Sequence, residues 1–265
     1  MSLLPSYMSS QNVAAWRRSG FGSATLGLDS GDLALARTRV LLVGGADDED
    51  RLHSDVWETD SLGNFKLLKS DAGWSPRTNM ATTVHTLDGV EWLYVMAGFE
   101  WRMQDGVKTG AYLNDVWRMP GTNLFGDFEP VKTLSNTGIF TGRARSLSVS
   151  YRSNLYLIGG CSGRGSNCDE MKEEILTSKD GILWTPVTVS GHDGVVDRPM
   201  NTWLFSTTLF QGVAGIMGTV HQDNIYLFGG RQATKIVRLF AHPSGVLACV
   251  KSACRVCPNL LQLCG

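Results

Sequence analysis

Long uninterrupted hydrophobic runs are missing from this chain of 265 residues. The most apolar later stretch, Trp203 to Met217, is broken by Ser206, Thr207, Thr208 and Gln211, so it is too short and too polar to span a bilayer. The opening Met1-Ser2-Leu3-Leu4-Pro5 has no basic start and no sustained apolar run, and no secretory leader is expected. Charge of one sign is not in excess. Lys and Arg number 24 against 25 Asp and Glu, for a formal net charge of −1, so no global field attracts nucleic acid or an anionic membrane. The histidines His53, His85, His192, His221 and His242 show no metal-ligand spacing, and HExxH, a Ser/His/Asp set and a phosphate-cradling glycine loop are all absent. Nothing pairs any two of the carboxylates for acid–base work. No catalytic residue, metal or cofactor is therefore assigned. The six cysteines are scattered, which with the missing leader points to a reducing, cytoplasmic location.

What the chain does have is a repeated stretch. Leu155-Tyr156-Leu157-Ile158 runs into Gly159-Gly160, and the same pattern occurs at Val40–Val43 before Gly44-Gly45 and at Ile225–Phe228 before Gly229-Gly230. It also occurs at Leu93–Met96 before Ala97-Gly98, where alanine replaces the first glycine. The first members of the pairs, Gly44, Ala97, Gly159 and Gly229, lie 53, 62 and 70 residues apart. β-Branched, aromatic and aliphatic residues in short runs suit strands buried on both faces. Glycines at the strand ends permit positive φ and close backbone approach, and runs this short that stop at glycine are poor helices. A period of roughly 50 residues is what a four-stranded unit needs.

The flanking elements recur in the same order. In the first unit residues 20–28 precede the run, then come the acidic loop Ala46-Asp47-Asp48-Glu49-Asp50, Ser54-Asp55-Val56-Trp57, and Phe65-Lys66-Leu67-Leu68. The second unit has Thr82–Leu87, an Asp88-Gly89 turn signal, the run, a loop to Asn114-Asp115-Val116-Trp117, and Phe128-Glu129-Pro130-Val131. The third has Ser146–Tyr151, Arg152-Ser153-Asn154, the run, Glu174-Ile175-Leu176, and Leu183-Trp184. Each unit thus offers four strands, A to D. The acidic loop reads as a solvated loop or as a cation site. The fourth unit departs: Arg198 stands 31 residues before its glycine pair, against 20 for Arg77 and 16 for Arg143, and no Asp-Val-Trp follows, although Ile236–Phe240 can serve as a third strand. Cys249, Cys254, Cys257 and Cys264 crowd the end without paired CxxC knuckles, so zinc is the weaker reading and a divergent tail the stronger.

Four aliphatic-Gly-Gly strands, two of them followed by Asp-Val-Trp, resemble the kelch repeat across roughly residues 20–240. The resemblance implies an all-β fold, a kelch-type β-propeller with four recognisable four-stranded blades, incomplete or irregular at its C-terminal end. Residues 1–19 are then an arm or closing strand, and 241–265 a Cys-rich tail. Trp57 and Trp117 are expected to pack between blades. Ser178-Lys179-Asp180-Gly181-Ile182-Leu183-Trp184 also resembles the Asp-box of sialidases, shorter by one residue between Asp and Gly; it reads equally as a tight turn and a core tryptophan.

Antiparallel topology puts the B–C loops and the D-to-A crossings on one face. The B–C loops Ala46–His53, Phe99–Leu113 and Cys161–Lys172 are long, and long loops on a rigid scaffold are where binding sits. The crossings bring Arg77, Arg143, Arg145 and Arg198 to that face, where they either bind a carboxylate bidentately or pair locally with the protein's own carboxylates and carbonyls. Phe99 and Trp101 are expected as exposed aromatic anchors. The expected function is a non-catalytic interaction module that binds another protein through an acidic segment, with no nucleic acid and no membrane, and with self-association through an open sheet edge. The other readings are a carbohydrate-active hydrolase or epimerase or a copper oxidase on the same fold, and a bare scaffold. No ligand spacing suggests the oxidase.

Overall fold

The structure is a computed structural model that describes residues 17–27, 39–59, 64–124, 126–131, 140–191, 198–199, 214–221, 224–228, 230, 237–241 and 247–251. These residues contain strands and no helix. No helix long and apolar enough to cross a membrane occurs among them.

The first sheet is an antiparallel meander of β1 (Gly22–Leu26), β2 (Arg39–Ala46), β3 (Leu52–Thr59) and β4 (Phe65–Lys69). The second unit supplies β5 (Ala81–Leu87), β6 (Val90–Met96), β7 (Phe99–Gln104), β8 (Val107–Tyr112), β9 (Val116–Pro120) and β10 (Glu129–Pro130). Its sheet runs β5-β6-β9-β10, while β7 and β8 form a separate hairpin between β6 and β9. The third unit repeats this with β11 (Leu147–Tyr151), β12 (Asn154–Ile158), the short ladder of β13 (Cys161–Ser162) and β14 (Glu170–Met171), β15 (Ile175–Ser178) and β16 (Thr185–Pro186). The last strands are β17 (Thr188–Gly191), β18 (Arg198–Pro199), β19 (Met217–His221), β20 (Asn224–Phe228), β21 (Val237–Ala241) and β22 (Leu247–Lys251).

The four apolar runs fall in four different sheets, each as the second strand. The last sheet breaks the four-stranded pattern, with six strands in the order β19-β20-β21-β22-β17-β18 and β17 parallel to β22. Part of the stretch read as a divergent tail is thus a strand, β22, antiparallel to β21. The long loop 99–113 is likewise a hairpin, turned at Asp105-Gly106 with both residues at positive φ. Positive φ at both central residues is what a two-residue hairpin turn requires.

The continuous apolar run of β6 arises because that strand serves two cores. Alternate residues of a strand point to opposite faces. In β6, Leu93 and Val95 join Leu41, Val43, Trp74 and Phe128 against the first sheet. Tyr94 and Met96 join Leu155, Leu157, Phe140 and Trp184 against the third. All four are fully buried. Burying side chains of this size stabilises by about 1.5–3 kcal/mol each.

The glycine pairs close each second strand. The first member lies near φ +60° (Gly44 +56°, Ala97 +58°, Gly159 +61°), a region that alanine enters at a cost. The second member lies near +100°, and a Cβ there would meet backbone: Ser19 O at 3.0 Å from Gly45, Thr78 O at 3.2 Å from Gly98, Ala144 O at 2.9 Å from Gly160. The first position is also crowded at Gly44, where a Cβ would meet His53 O at 3.0 Å, so what sets the second position apart is its φ near +100°, outside the left-handed region that Ala97 occupies.

The first strands lie side by side in the order β1, β5, β11, β19 and line one open channel of about 740 Å³. Ser23, Thr25, Thr83, Ser150 and Thr219 face it, and no charged side chain lines it among the described residues.

Candidate functional site

Two of the four arginines expected at the ligand face are committed elsewhere. Arg77 is fully buried. Its fork donates to both oxygens of Asp115 at 2.6 and 2.8 Å, to the Ala97 carbonyl at 3.0 Å and to Ser75 Oγ at 3.0 Å. Arg143 is also fully buried; it donates to the Gly159 carbonyl at 3.2 Å, to Thr141 Oγ1 at 3.0 Å and to Glu174. Burial pulls the Arg143 guanidinium below its ordinary pKa, against the opposing charge and hydrogen bond of Glu174. The backbones of both arginines belong to the preceding sheet. Arg77 exchanges bonds with His53 and Gly45, and Arg143 with Leu113 and Gly98. Each arginine is a clamp, with its backbone in one sheet and its side chain in the next. The reason is local: the left-handed first residue of the small pair turns its carbonyl away from the strand ladder, and a guanidinium beside a carboxylate satisfies it.

The Arg18 side chain makes the equivalent contacts in the first unit, meeting Asp55 and the Gly44 carbonyl, the latter at 3.2 Å. Sequence reading passed over Arg18. Its signal was the repeat itself, since Arg18 precedes Asp55 by 37 residues and Arg77 precedes Asp115 by 38. Asp55 and Asp115 also accept the indole N–H of Trp57 and Trp117, at 2.9 and 2.8 Å.

Arg145 is different. Backbone bonds run from Asn79 N to Gly20 O at 2.6 Å, from Arg145 N to Asn79 O at 2.8 Å, and from Gly215 N to Arg145 O at 2.8 Å. The four residues share one conformation, with φ of +60°, +55°, +58° and +70° in chain order. They are equivalent positions at the mouth of the channel, each directly before a first strand. Glycine holds two of them and asparagine one, the residues that tolerate left-handed backbone. Arginine holds the fourth, at a cost of order 1 kcal/mol. Its side chain is exposed, and no carboxylate pairs with it among the described residues.

Arg145 lines a half-open cavity of about 260 Å³ with Phe99, Trp101, Tyr112, Thr78, Asp50 and Cys168. Three sequence-expected residues thus meet: Arg145, Phe99 and Trp101. Phe99, expected to be exposed, is instead buried at 6% exposure, because β7 lays it against Trp101 and Tyr112, with ring centroids 4.9 and 5.3 Å away. Trp101 is half-buried, and Lys108 Nζ sits 4.5 Å over its ring. Tyr112 donates its hydroxyl to the Asn167 carbonyl at 2.6 Å, and burial raises its pKa. Cys161 and Cys168 are joined by a disulfide that closes the loop carrying Asn167. Arg198 lies in β18 against Val189, well before β19, and its side chain is outside the described residues.

The acidic stretch is a closed turn. Asp47 accepts from the backbone of Glu49 and Arg51, from Arg51 Nε and from His53 Nε2, at 2.9–3.0 Å. Desolvation would raise its pKa, but these hydrogen bonds outweigh it and hold the carboxyl well below the usual range. No group of three or more metal-ligating side chains occurs among the described residues. Cys254, Cys257 and Cys264 lie outside them, as does the side chain of Cys249. In the Asp-box-like stretch, Asp180 caps Ile182 N at 2.8 Å and the buried Trp184 donates to Gly181 O at 2.9 Å, which makes it a turn with a core tryptophan.

The cavity therefore combines an unpaired guanidinium with aromatic walls, a combination that holds a carboxylate beside an apolar group. Compared with models of known protein families and with curated proteins, the chain matches none.

Proposed function

We propose that this chain is a non-catalytic protein-interaction module of kelch-type β-propeller architecture, and that it binds a carboxylate-bearing segment of another protein at the cavity of Arg145, Phe99 and Trp101. The propeller reading is supported by the side-by-side first strands, their shared channel and the stepwise bonds from Gly20 through Asn79 and Arg145 to Gly215. The binding reading rests on one observation. A charged side chain stands in left-handed backbone, where the equivalent positions carry glycine or asparagine, and it makes no hydrogen bond to the described residues. Strain kept at a solvent-facing position without an internal partner is a signature of function.

The test is Arg145→Gly, which restores the residue of the first and last units and leaves the backbone unstrained. Twelve-residue peptides selected from a displayed random library on the wild-type chain should be enriched in Asp and Glu. Their affinity should fall by about 1–3 kcal/mol on Arg145→Gly, the loss of one charge-assisted contact, or roughly one to two decades in Kd. Selected peptides that bind the variant as tightly as the wild type would overturn the proposal.

A further inference from the structure

We infer that the partner segment binds as an added β-strand along the free edge of β7, continuing the line begun by Thr78. The inference rests on the Arg145 reading and names the form of its guest.

The register of the hairpin carries it. Phe99 exchanges both backbone bonds with Thr78, at 2.8 and 2.9 Å, so its N–H and C=O point away from β8. Antiparallel ladders alternate, so the groups of every second residue point the same way. The pairs Phe99–Tyr112, Trp101–Gly110 and Met103–Lys108 are then the non-hydrogen-bonded ones, and Gln104–Val107 closes the two-residue turn. The N–H and C=O of Trp101 and Met103 face outward, and among the described residues no second strand lies beside β7, since β7 and β8 form a sheet of two. Thr78 occupies only the first slot of that edge: the residue that would stand opposite Trp101 is Pro76, which has no N–H to donate. Two slots remain open.

The guest's chemistry follows from what flanks them. The edge leads at its base into the Arg145 cavity, which Thr78, Phe99 and Trp101 all line. The guest's end nearest Thr78 therefore carries the carboxylate. Further out, Trp101 and Met103 share one hairpin face with Lys108, and Met103 is 70% exposed. An apolar guest residue beside the acid covers this face. Main-chain bonds then supply affinity and alternate side chains supply selectivity, as in strand addition generally.

Met103→Pro tests the edge alone. Met103 N–H makes no bond within the hairpin, so proline removes one outward donor and no internal bond, a position an edge strand tolerates. The probe is a peptide selected on the wild-type chain. Its Kd should rise at least tenfold in Met103→Pro and hardly at all in Met103→Ala, while Arg145→Gly weakens it independently. In the wild-type chain the amides of Trp101 and Met103 should gain hydrogen-exchange protection when the peptide is added, a readout that needs no variant. Unchanged affinity in Met103→Pro, with no gain in amide protection, overturns strand addition and leaves the Arg145 site standing. Unchanged affinity in Arg145→Gly, or a selection that returns no peptide, brings down both. A wild-type dimer in light scattering that Met103→Pro dissolves, with peptide affinity unchanged, shows a second copy at this edge and overturns the inference.

Discussion

Arg77 and Asp115 meet through two parallel hydrogen bonds, at 2.6 and 2.8 Å, across the junction of the first and second sheets. The arginine is sealed from solvent, but the aspartate side chain is 38% exposed, so water screens part of the attraction. Removing one partner of a buried pair costs about 3–5 kcal/mol. With that screening, Arg77→Ala should lie at the lower end, about 3 kcal/mol, because Asp115 keeps only the Trp117 indole N–H while the Ala97 carbonyl loses the guanidinium. Chemical denaturation of Arg77→Ala, Asp115→Ala and the double variant measures this. The double variant should be less destabilised than the sum of the singles.

The small pair gives a paired test. Gly98→Ala should destabilise by about 1–3 kcal/mol, since φ of +110° excludes an ordinary side chain and Thr78 O stands 3.2 Å from the new carbon. Ala97→Gly should be neutral to slightly stabilising, because it relieves left-handed alanine. Thermal melts of the two variants should move in opposite directions or, at the least, differ by several degrees.

His85 sets a pH dependence. It is buried between the second and third sheets, with Nε2 donating to Lys179 O at 2.9 Å and Nδ1 accepting from Ser150 Oγ at 2.9 Å. Desolvation lowers its pKa, against the raising effects of Lys179 O and Asp180. The unfolded chain therefore takes up the proton first as pH falls. The stability contribution is complete above about pH 6.5, the ordinary histidine value, and is lost as pH drops from there through the folded-state pKa. Unfolding free energy followed from about pH 7.5 to about pH 5 should decline through this window, and His85→Gln should flatten the decline.

The Cys161–Cys168 disulfide closes a short loop, with a sequence separation of 7. Chain-entropy arguments assign such a loop about 2.5 kcal/mol. Cys161→Ser with Cys168→Ser should lower stability by about that amount. It should also increase the exchange of the Tyr112 neighbourhood, since Asn167 then loses its anchor. A peptide map without reductant should recover the two cysteines in one linked fragment.

The strands were legible in the sequence wherever one residue run reported two buried faces. Alternation of apolar and polar residues was not needed: Leu93 to Met96 are apolar throughout because each faces a core, and the small pair marks where they stop. The Asp105-Gly106 turn was also present as a signal, yet the surrounding polar residues made 99–113 read as a loop. The roles of the arginines were not legible. Arg77 and Asp115 stand 38 residues apart, and only the folded register shows that the fork is filled. Arg145 could not be set apart from Arg143 by spacing, because what separates them is backbone conformation and burial. Cysteines and short polar breaks hid Leu247–Lys251, whose pairing with β21 depends on a neighbour rather than on its own alternation.

Because Leu93 and Val95 look one way from β6 while Tyr94 and Met96 look the other, the strand acts as a party wall between two compartments. A single inserted residue inside it would exchange the tenants of both, sending the Tyr94 hydroxyl, which now donates to Asp180 O at 3.0 Å, towards the wrong sheet. An insertion just past Gly98 does no such harm, since the β6–β9 pairing resumes at Val116 whatever lies between. Length added after a small pair is therefore tolerated, and that is where the β7–β8 hairpin has grown.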